Sequence, residues 1–306
     1  MMKNDIELFR DLSQLLTEQR NPNTEEIDSL PTTTVLKLIN AEDKNVAHAV
    51  EHEIYFIAQA VDLVVAALRS GGRLIYVGAG SSGRLGVIDA SECPPTFGTD
   101  PRQITGVIAG GNAAMFRSQE GAEDNTQQAM IDIDALAVGS GDVVCGIAAS
   151  RRTPYVVKAV AHAKSLGAKT IYVTTNPRAE FDLDVDVAIC PEVGPEVLMG
   201  STRLKSGTAQ KLVLNMISTV SMIRLGKVYA NMMVDLQLTN KKLEERAKRI
   251  IMMATDVSYD TAATRLVDAG GNVKTAIVMI KRGIDAATAR AVLRDADGFV
   301  RRAIKE

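Results

Sequence analysis

The chain reads as an α/β protein, a mainly parallel sheet covered on both faces by helices. Two observations predict this. Short apolar runs of β type alternate with segments whose apolar residues recur at helical spacing, the order expected of a parallel sheet under helical layers. The chain of 306 residues, 46% hydrophobic, can bury a full core and has the length of one large domain plus a smaller one.

Residues 1–33 are polar and broken at Asn21-Pro22-Asn23 and Pro31, so a helix followed by an irregular arm is expected there. Between Thr34 and Arg69 the apolar residues Val35, Leu38, Ile39, then Val50, Ile54, Ile57, Val61, Val64 and Leu68 recur at helical spacing, as one long helix or a pair. A strand follows at Leu74–Val77, then a helix predicted to end before Pro94-Pro95, because proline disfavours helical geometry in the residue before it. Next come a strand at Ile104–Ala109 and a helix over Ala113–Leu136. A strand at Asp142–Ile147 leads to a helix at Pro154–Leu166 and to strands at Thr170–Thr174 and Val185–Ile189. Val197–Asn240 reads as helical. From Lys241 the composition turns charged, and short helices are expected between the caps Ser258 and Asp285 and the Gly270-Gly271 break. The expected division is a helical arm at 1–63, a sheet domain at 64–227, a connecting helix at 228–240 and a helical module at 241–306.

Composition excludes several functions. A net charge of −2 with acids and bases interspersed gives neither a basic stripe for nucleic acid nor an acidic tail. Cys93, Cys145 and Cys190 are far apart without metal-binding spacing, and are expected to be small buried hydrophobes in a reducing compartment. Lys3, Asp5 and Glu7 stand where a signal peptide needs an apolar core, and no run reaches membrane-spanning length. A cytoplasmic location without membrane partner is expected.

The turn after the first strand, Gly78-Ala-Gly-Ser-Ser-Gly, is built to hold a phosphate. Backbone N–H groups at Gly78, Gly80 and Gly83 meet no side chains, Ser81 and Ser82 add hydroxyls, and the following helix directs its positive end at an anion. The string also spells G-x-G-x-x-G. A dinucleotide site would need an acid at the end of the next strand, where Gly110-Gly111 stand instead. No P-loop lysine follows the turn, which argues against a nucleoside triphosphate. The same logic recurs after Asp142–Ile147, where Ala148-Ala149-Ser150-Arg151-Arg152-Thr153-Pro154 supplies Ser150, Arg152 and Thr153. Thr153 is the expected N-cap, Pro154 takes the first helical position, and Gly167 closes the helix. Two such helix starts on one sheet edge favour a phosphosugar.

Two carboxylates are candidates for acid–base work. Glu92, in Asp89-Ala-Ser-Glu-Cys-Pro-Pro, falls at the end of its predicted helix, where the dipole disfavours negative charge; if buried, it would have a raised pKa and suit a general acid. Glu123, in Gln119-Glu-Gly-Ala-Glu-Asp, reads more readily, on its own, as a solvated acid near a helix start. His48-Ala-Val-Glu51-His52 spells H-x-x-E-H, but without a third ligand segment it looks like an ordinary polar helix face. His162 reads as a plain helix residue. Ser201 and Lys205, at the opening of the Val197–Asn240 segment, are weaker candidates for substrate contact.

Taken together, Gly78-Ala-Gly-Ser-Ser-Gly-Arg-Leu-Gly, Asp89-Ala-Ser-Glu-Cys-Pro-Pro-Thr, Ile108-Ala-Gly-Gly, Glu120-Gly-Ala-Glu-Asp, Gly146-Ile-Ala-Ala-Ser and Gly207-Thr-Ala-Gln-Lys-Leu-Val-Leu-Asn-Met resemble the bacterial N-acetylmuramic acid 6-phosphate etherases. Thr17-Glu-Gln-Arg-Asn and Asp235 to Asn240 extend the resemblance over nearly the whole chain. The resemblance implies the sugar isomerase (SIS) fold, a flavodoxin-like parallel sheet sandwiched by helices, with N-terminal helices and a small ubiquitin-associated-like helical module at the C-terminus. It implies a homodimer that binds a 6-phosphosugar at Gly80, Ser81, Ser82, Gly83, Ser150, Arg152 and Thr153, without metal or organic cofactor. It also implies cleavage of the D-lactyl ether, with the family's acid falling on Glu92 and its base on Glu123. A sugar-phosphate sensor, like the glucokinase regulatory protein, and a sugar-phosphate isomerase are the alternatives on this fold.

Two points stay open. The family usually has Ser-Gly before Arg-Thr-Pro, whereas here Arg151 follows Ser150; its side chain is expected to turn to solvent while the backbone makes the contacts. An unbroken helix from Ser82 to Glu92 would put the acid roughly 15 Å from the first loop. Either the phosphate sits mainly on the second loop, the helix is shorter, or a partner subunit completes the site.

Overall fold

The computed structural model describes residues 15–238 and 240–305; the helix expected at the very start of the chain lies outside them. The described residues form two compact units, one comprising those through Ala90 together with Ile104–Ile217, the other Ser91–Gln103 with those from Ser218 onward. The boundaries therefore differ from those expected at 63/64 and 227/228. The arm belongs to the sheet's unit because Asn21 Nδ2 donates to Pro195 O at 3.1 Å and Thr24 Oγ1 to Val197 O at 2.9 Å.

In the first unit the apolar stretch 34–69 resolves into a helix pair, α1 (Thr32–Glu51) and α2 (Ile54–Arg69). Strands β1 (Leu74–Gly78), β2 (Ile104–Ile108), β3 (Val143–Ile147), β4 (Lys169–Val173) and β5 (Val187–Ile189) form one parallel sheet in the order β2-β1-β3-β4-β5. The parallel α/β architecture is as predicted, with strand ends moved by a residue or two. The central strands are buried on both faces: Ile75, Val77, Val144 and Tyr172 are fully buried.

Three predicted helices differ. Helix α3 (Gly80–Phe97) runs through Pro94 and Pro95 instead of stopping before them. Two prolines in a last turn remove two N–H groups without ending it, and Gly98, at φ +62°, closes the turn by donating its N–H to Pro94 O at 2.9 Å. The helix expected over 113–136 is two 3-10 turns, Asn112–Met115 and Ala122–Asp124, followed by α4 (Thr126–Ala135). Gly121, at φ +70°, interrupts it, and Asn125 starts α4 by accepting the N–H of Gln128 at 2.9 Å. After β3 and helix α5 (Pro154–Ser165), the segment expected to be helical over 197–240 contains α6 (Lys205–Arg224) and then a two-stranded antiparallel hairpin, β6 (Val228–Tyr229) and β7 (Met232–Met233). No connecting helix forms at 228–240, because Gly226 and Ala230 take φ of +73° and +52°.

Helices α7 (Lys241–Thr255), α8 (Tyr259–Asp268), α9 (Val273–Arg282), α10 (Ala286–Asp295) and α11 (Val300–Ala303) belong to the second unit. The expected caps are in place: Ser258 accepts from Thr261 N at 3.3 Å and Asp285 from Thr288 N at 2.9 Å. Ile251, Ala262, Ala276, Ile277 and Ala289 fill their common core.

The turn between β1 and α3 is set by three glycines with two different duties. A Cβ on Gly78 would lie 2.5 Å from Gly83 N, and one on Gly83 would lie 2.7 Å from both Gly78 O and Ile108 Cγ1. These two permit close approach of helix and strand. Gly80 instead takes φ +53° and faces open space. Gly83→Ala is expected to cost about 3 kcal/mol or more through overpacking, whereas Gly80→Ala costs about 1–2 kcal/mol for its left-handed backbone. Denaturant midpoints measure the difference; equal losses would contradict it.

At the start of α6 the Glu196 carboxylate accepts the N–H groups of Lys205 and Ser206, both at 2.9 Å, and the Lys205 ammonium reaches Glu42 Oε2 on α1 at 2.6 Å. Lys205 is fully buried. Burial pushes the Glu42 carboxyl up, but hydrogen bonds from Lys205 and Asn23 outweigh this and hold it below its ordinary value. A carboxyl lowered in the folded state stabilises above its unfolded pKa and loses that contribution as pH falls through the folded one. Lys205→Met should therefore cost about 3–5 kcal/mol at neutral pH, with the gap from wild type narrowing in acid. A gap that is constant or widens on acidification would contradict the pairing.

Candidate active site

Strands β1 and β3 are neighbours in register, Gly78 opposite Ile147, so the two loops rich in small and hydroxyl residues leave the same sheet edge side by side. The strand order reverses there, the position at which open α/β sheets form a ligand crevice. The first helical turn of α3 leaves backbone donors unpaired within the helix. Gly83 is not among them, because its N–H donates to Ala79 O at 3.2 Å. The Ser82 hydroxyl is likewise directed inward, donating to Gln210 Oε1 of α6 at 2.9 Å. Both corrections follow from how closely α3 lies against β1 and α6. The Gln210 Nε2 group is buried and has no hydrogen-bond partner among the described residues.

In the second loop the Ala149 carbonyl is fixed from beneath by Thr174 Oγ1 at 2.8 Å and Asn176 Nδ2 at 3.0 Å. Thr153 holds the N-cap position before Pro154, but its side chain makes no capping bond. Ser150 and Arg152 are half-buried beside it. Arg151 does not turn to solvent as expected. Its side chain is 14% exposed and lies 3.5 Å from Asp182 and 3.9 Å from Glu180, because two acids flank it on the segment after β4.

A cavity of about 440 Å3 brings Glu123 together with Gly80, Arg84, Gln119 and Glu120. Arg84 is held there by its Nε, which donates to Met115 O at 3.0 Å. A second cavity, about 370 Å3, is lined by Ser81, Arg84, Arg203, Thr208 and Lys211. Arg84 is common to both. The second loop lines neither, and neither does Ser201, whose N–H donates to Leu198 O at 3.0 Å. Lys205, a weaker candidate for substrate contact, is committed to its buried pair with Glu42. Glu92 is exposed on α3 and not buried as expected. In the second unit a cavity of about 680 Å3 surrounds Asp235 and Lys274, and none of the expected catalytic or phosphate-binding residues lines it.

Sequence reasoning missed Arg84, Gln210, Arg203 and Lys211. Arg84, Gln210 and Lys211 lie inside the recognised strings but carry no motif signal of their own, and only the placing of α6 beside α3 gives them a position. No group of three metal-ligating side chains occurs among the described residues. His48 and Glu51 are an exposed pair 3.6 Å apart, and His162 bonds Asp134 at 2.7 Å. No helix among the described residues is long and apolar enough to cross a membrane.

Residues 56–164 match the family model of the glucokinase regulatory protein N-terminal SIS domain. Among solved structures the chain is similar to a phosphoheptose isomerase from Neisseria gonorrhoeae, with 18% identity, TM-score 0.46, and coverage of 62% of this chain and 99% of that one. Much greater likeness is found to N-acetylmuramic acid 6-phosphate etherases. That of Salinibacter ruber is 57% identical over 99% of this chain and 98% of its own length. Those of Photorhabdus laumondii and Clostridioides difficile are 53% and 51% identical, over 95% and 97% of this chain and 96% and 98% of theirs. With identities of that size running the length of the chain, the protein belongs to the N-acetylmuramic acid 6-phosphate etherase family.

Proposed function

We propose that this chain is a carbon–oxygen lyase that cleaves the D-lactyl ether of N-acetylmuramic acid 6-phosphate, giving N-acetylglucosamine 6-phosphate and D-lactate in the recycling of cell-wall amino sugars. Full-length identity above 50% to relatives of that name carries the reading, and the Glu123 cavity beside the phosphate-receptive turn supports it. A sensor or isomerase on the same fold would release no lactate, so D-lactate assayed after incubation with the 6-phosphosugar decides between them.

The chemistry follows from the substrate. In the open-chain aldehyde the C2 proton is acidified by the neighbouring carbonyl. Glu123 removes it, the C3 oxygen departs as lactate after taking a proton from Glu92, and water adds to the double bond so formed. Elimination of this kind is syn and needs no cofactor. The phosphate occupies the crevice between the two loops, held by the backbone at Gly80, Ser81 and Ser82 and by Ser150, Arg152 and Thr153. Ser82 contributes its N–H while Gln210 fixes its hydroxyl. Gly83 acts only by letting the helix approach, and Ser201 stays peripheral. Because α3 is continuous to Phe97, the possibility of a shorter helix falls away. We therefore favour a homodimer in which the partner subunit completes the acid's side of the site. The helices from Lys241 onward form a ubiquitin-associated-like module, and the enzyme works in the cytoplasm.

Glu123→Gln and Glu92→Gln should each retain the fold and lower lactate release by roughly 10²- to 10⁴-fold, since the amide keeps the shape but neither accepts nor donates the proton. Activity within a few-fold of wild type would remove that residue from the mechanism.

A further inference from the structure

The cavity of about 370 Å3 beside the first turn of α3 has a composition that the steps above leave unused. Arg84, Arg203 and Lys211 line it together with Ser81 and Thr208, and no acidic side chain is among its lining residues. Arg203 makes no ion pair or hydrogen bond among the described residues, and the Lys211 ammonium meets only the neutral Asn215 amide, at 3.3 Å. The chain's net charge is −2, yet three cations line this cavity and no acid among the described residues lines it with them. Such a grouping is stabilised by an anion entering it.

The substrate offers two anions, and its covalent structure says which one belongs here. The phosphate is on C6, remote from the reacting carbons. The lactyl carboxylate is joined to C2 through only C3, the ether oxygen and one further carbon. With C2 at Glu123, the carboxylate must fall in that cavity or the next. Within the first, Glu120 and Glu123 would repel it; across Arg84, which lines both, the cations attract it. We propose that Arg203 and Lys211, with Arg84 between the cavities, bind the carboxylate of the departing lactyl group. The proposal rests on the etherase reading and names its specificity determinant. A chain equipped this way selects sugar phosphates bearing an α-hydroxy-acid ether over those with a free C3 hydroxyl. Gripping the carboxylate also fixes the direction of the C3–O bond relative to the C2 proton.

Arg203→Met and Lys211→Met, each also made in a Glu123→Gln background that does not turn the ligand over and checked for fold by circular dichroism, separate the possibilities when two ligands are compared by calorimetry in that background. N-acetylmuramic acid 6-phosphate carries the carboxylate, and N-acetylglucosamine 6-phosphate lacks it. Each substitution should weaken the first roughly tenfold to hundredfold and leave the second within about twofold of wild type. The same substitutions should raise KM for lactate release in parallel. Equal weakening of both ligands would mean that the cations hold phosphate and would overturn the proposal, as would no change in either. A wild-type protein that binds both sugars but releases no lactate would refute the etherase reading instead, and the contrast in binding would still decide the role of the two cations.

Discussion

Everything at the ligand-facing edge depends on how closely helix α3 can approach the end of strand β1. The backbones of Gly78 and Gly83 are near enough that a single added carbon on either would collide with the other. That proximity puts the start of α3 over the sheet edge, with Gly80 facing one cavity and Ser81 the other. It also fixes what the turn can offer. The Gly83 N–H is returned to Ala79 and the Ser82 hydroxyl is drawn to Gln210, which leaves the remaining backbone donors of the first turn for the phosphate we propose there.

Around this turn the unit divides its charges by purpose. Lys205 and Glu42 form a buried pair that ties α1 to α6, and Glu196 caps the same helix from beneath. These charges hold the scaffold. The exposed ones, Glu123 and the cations Arg203 and Lys211, remain free of such commitments beside the cavities. Arg84 is intermediate, bonded to the Met115 carbonyl yet lining both spaces.

Much of the fold was legible because buried parallel strands write themselves as apolar runs, and Ile75, Val77, Val144 and Tyr172 do so. Errors came where one residue's backbone overruled the pattern. Gly121 broke an apparent helix into turns, Gly226 and Ala230 turned another into a hairpin, and Pro94-Pro95 failed to stop a third. Local spacing cannot report such reversals of φ. Gly80 and Glu123, whose strings are distinctive, line one cavity, whereas Lys205, a weaker candidate for substrate contact, is buried against Glu42. Arg203, in the turn before α6, and Lys211, on that helix, carry no sequence signal of their own. Only the three-dimensional proximity of α6 to Ser81 and Arg84 gives them a common cavity.

The central chemical claim is that lactate leaves by elimination through C2, and isotope exchange at that carbon tests it most directly. Run in heavy water, the reaction should yield N-acetylglucosamine 6-phosphate carrying deuterium at C2, seen as loss of that proton's resonance. Product that retains its original C2 proton would mean that the ether is broken without deprotonation at C2, and the role given to Glu123 would be wrong.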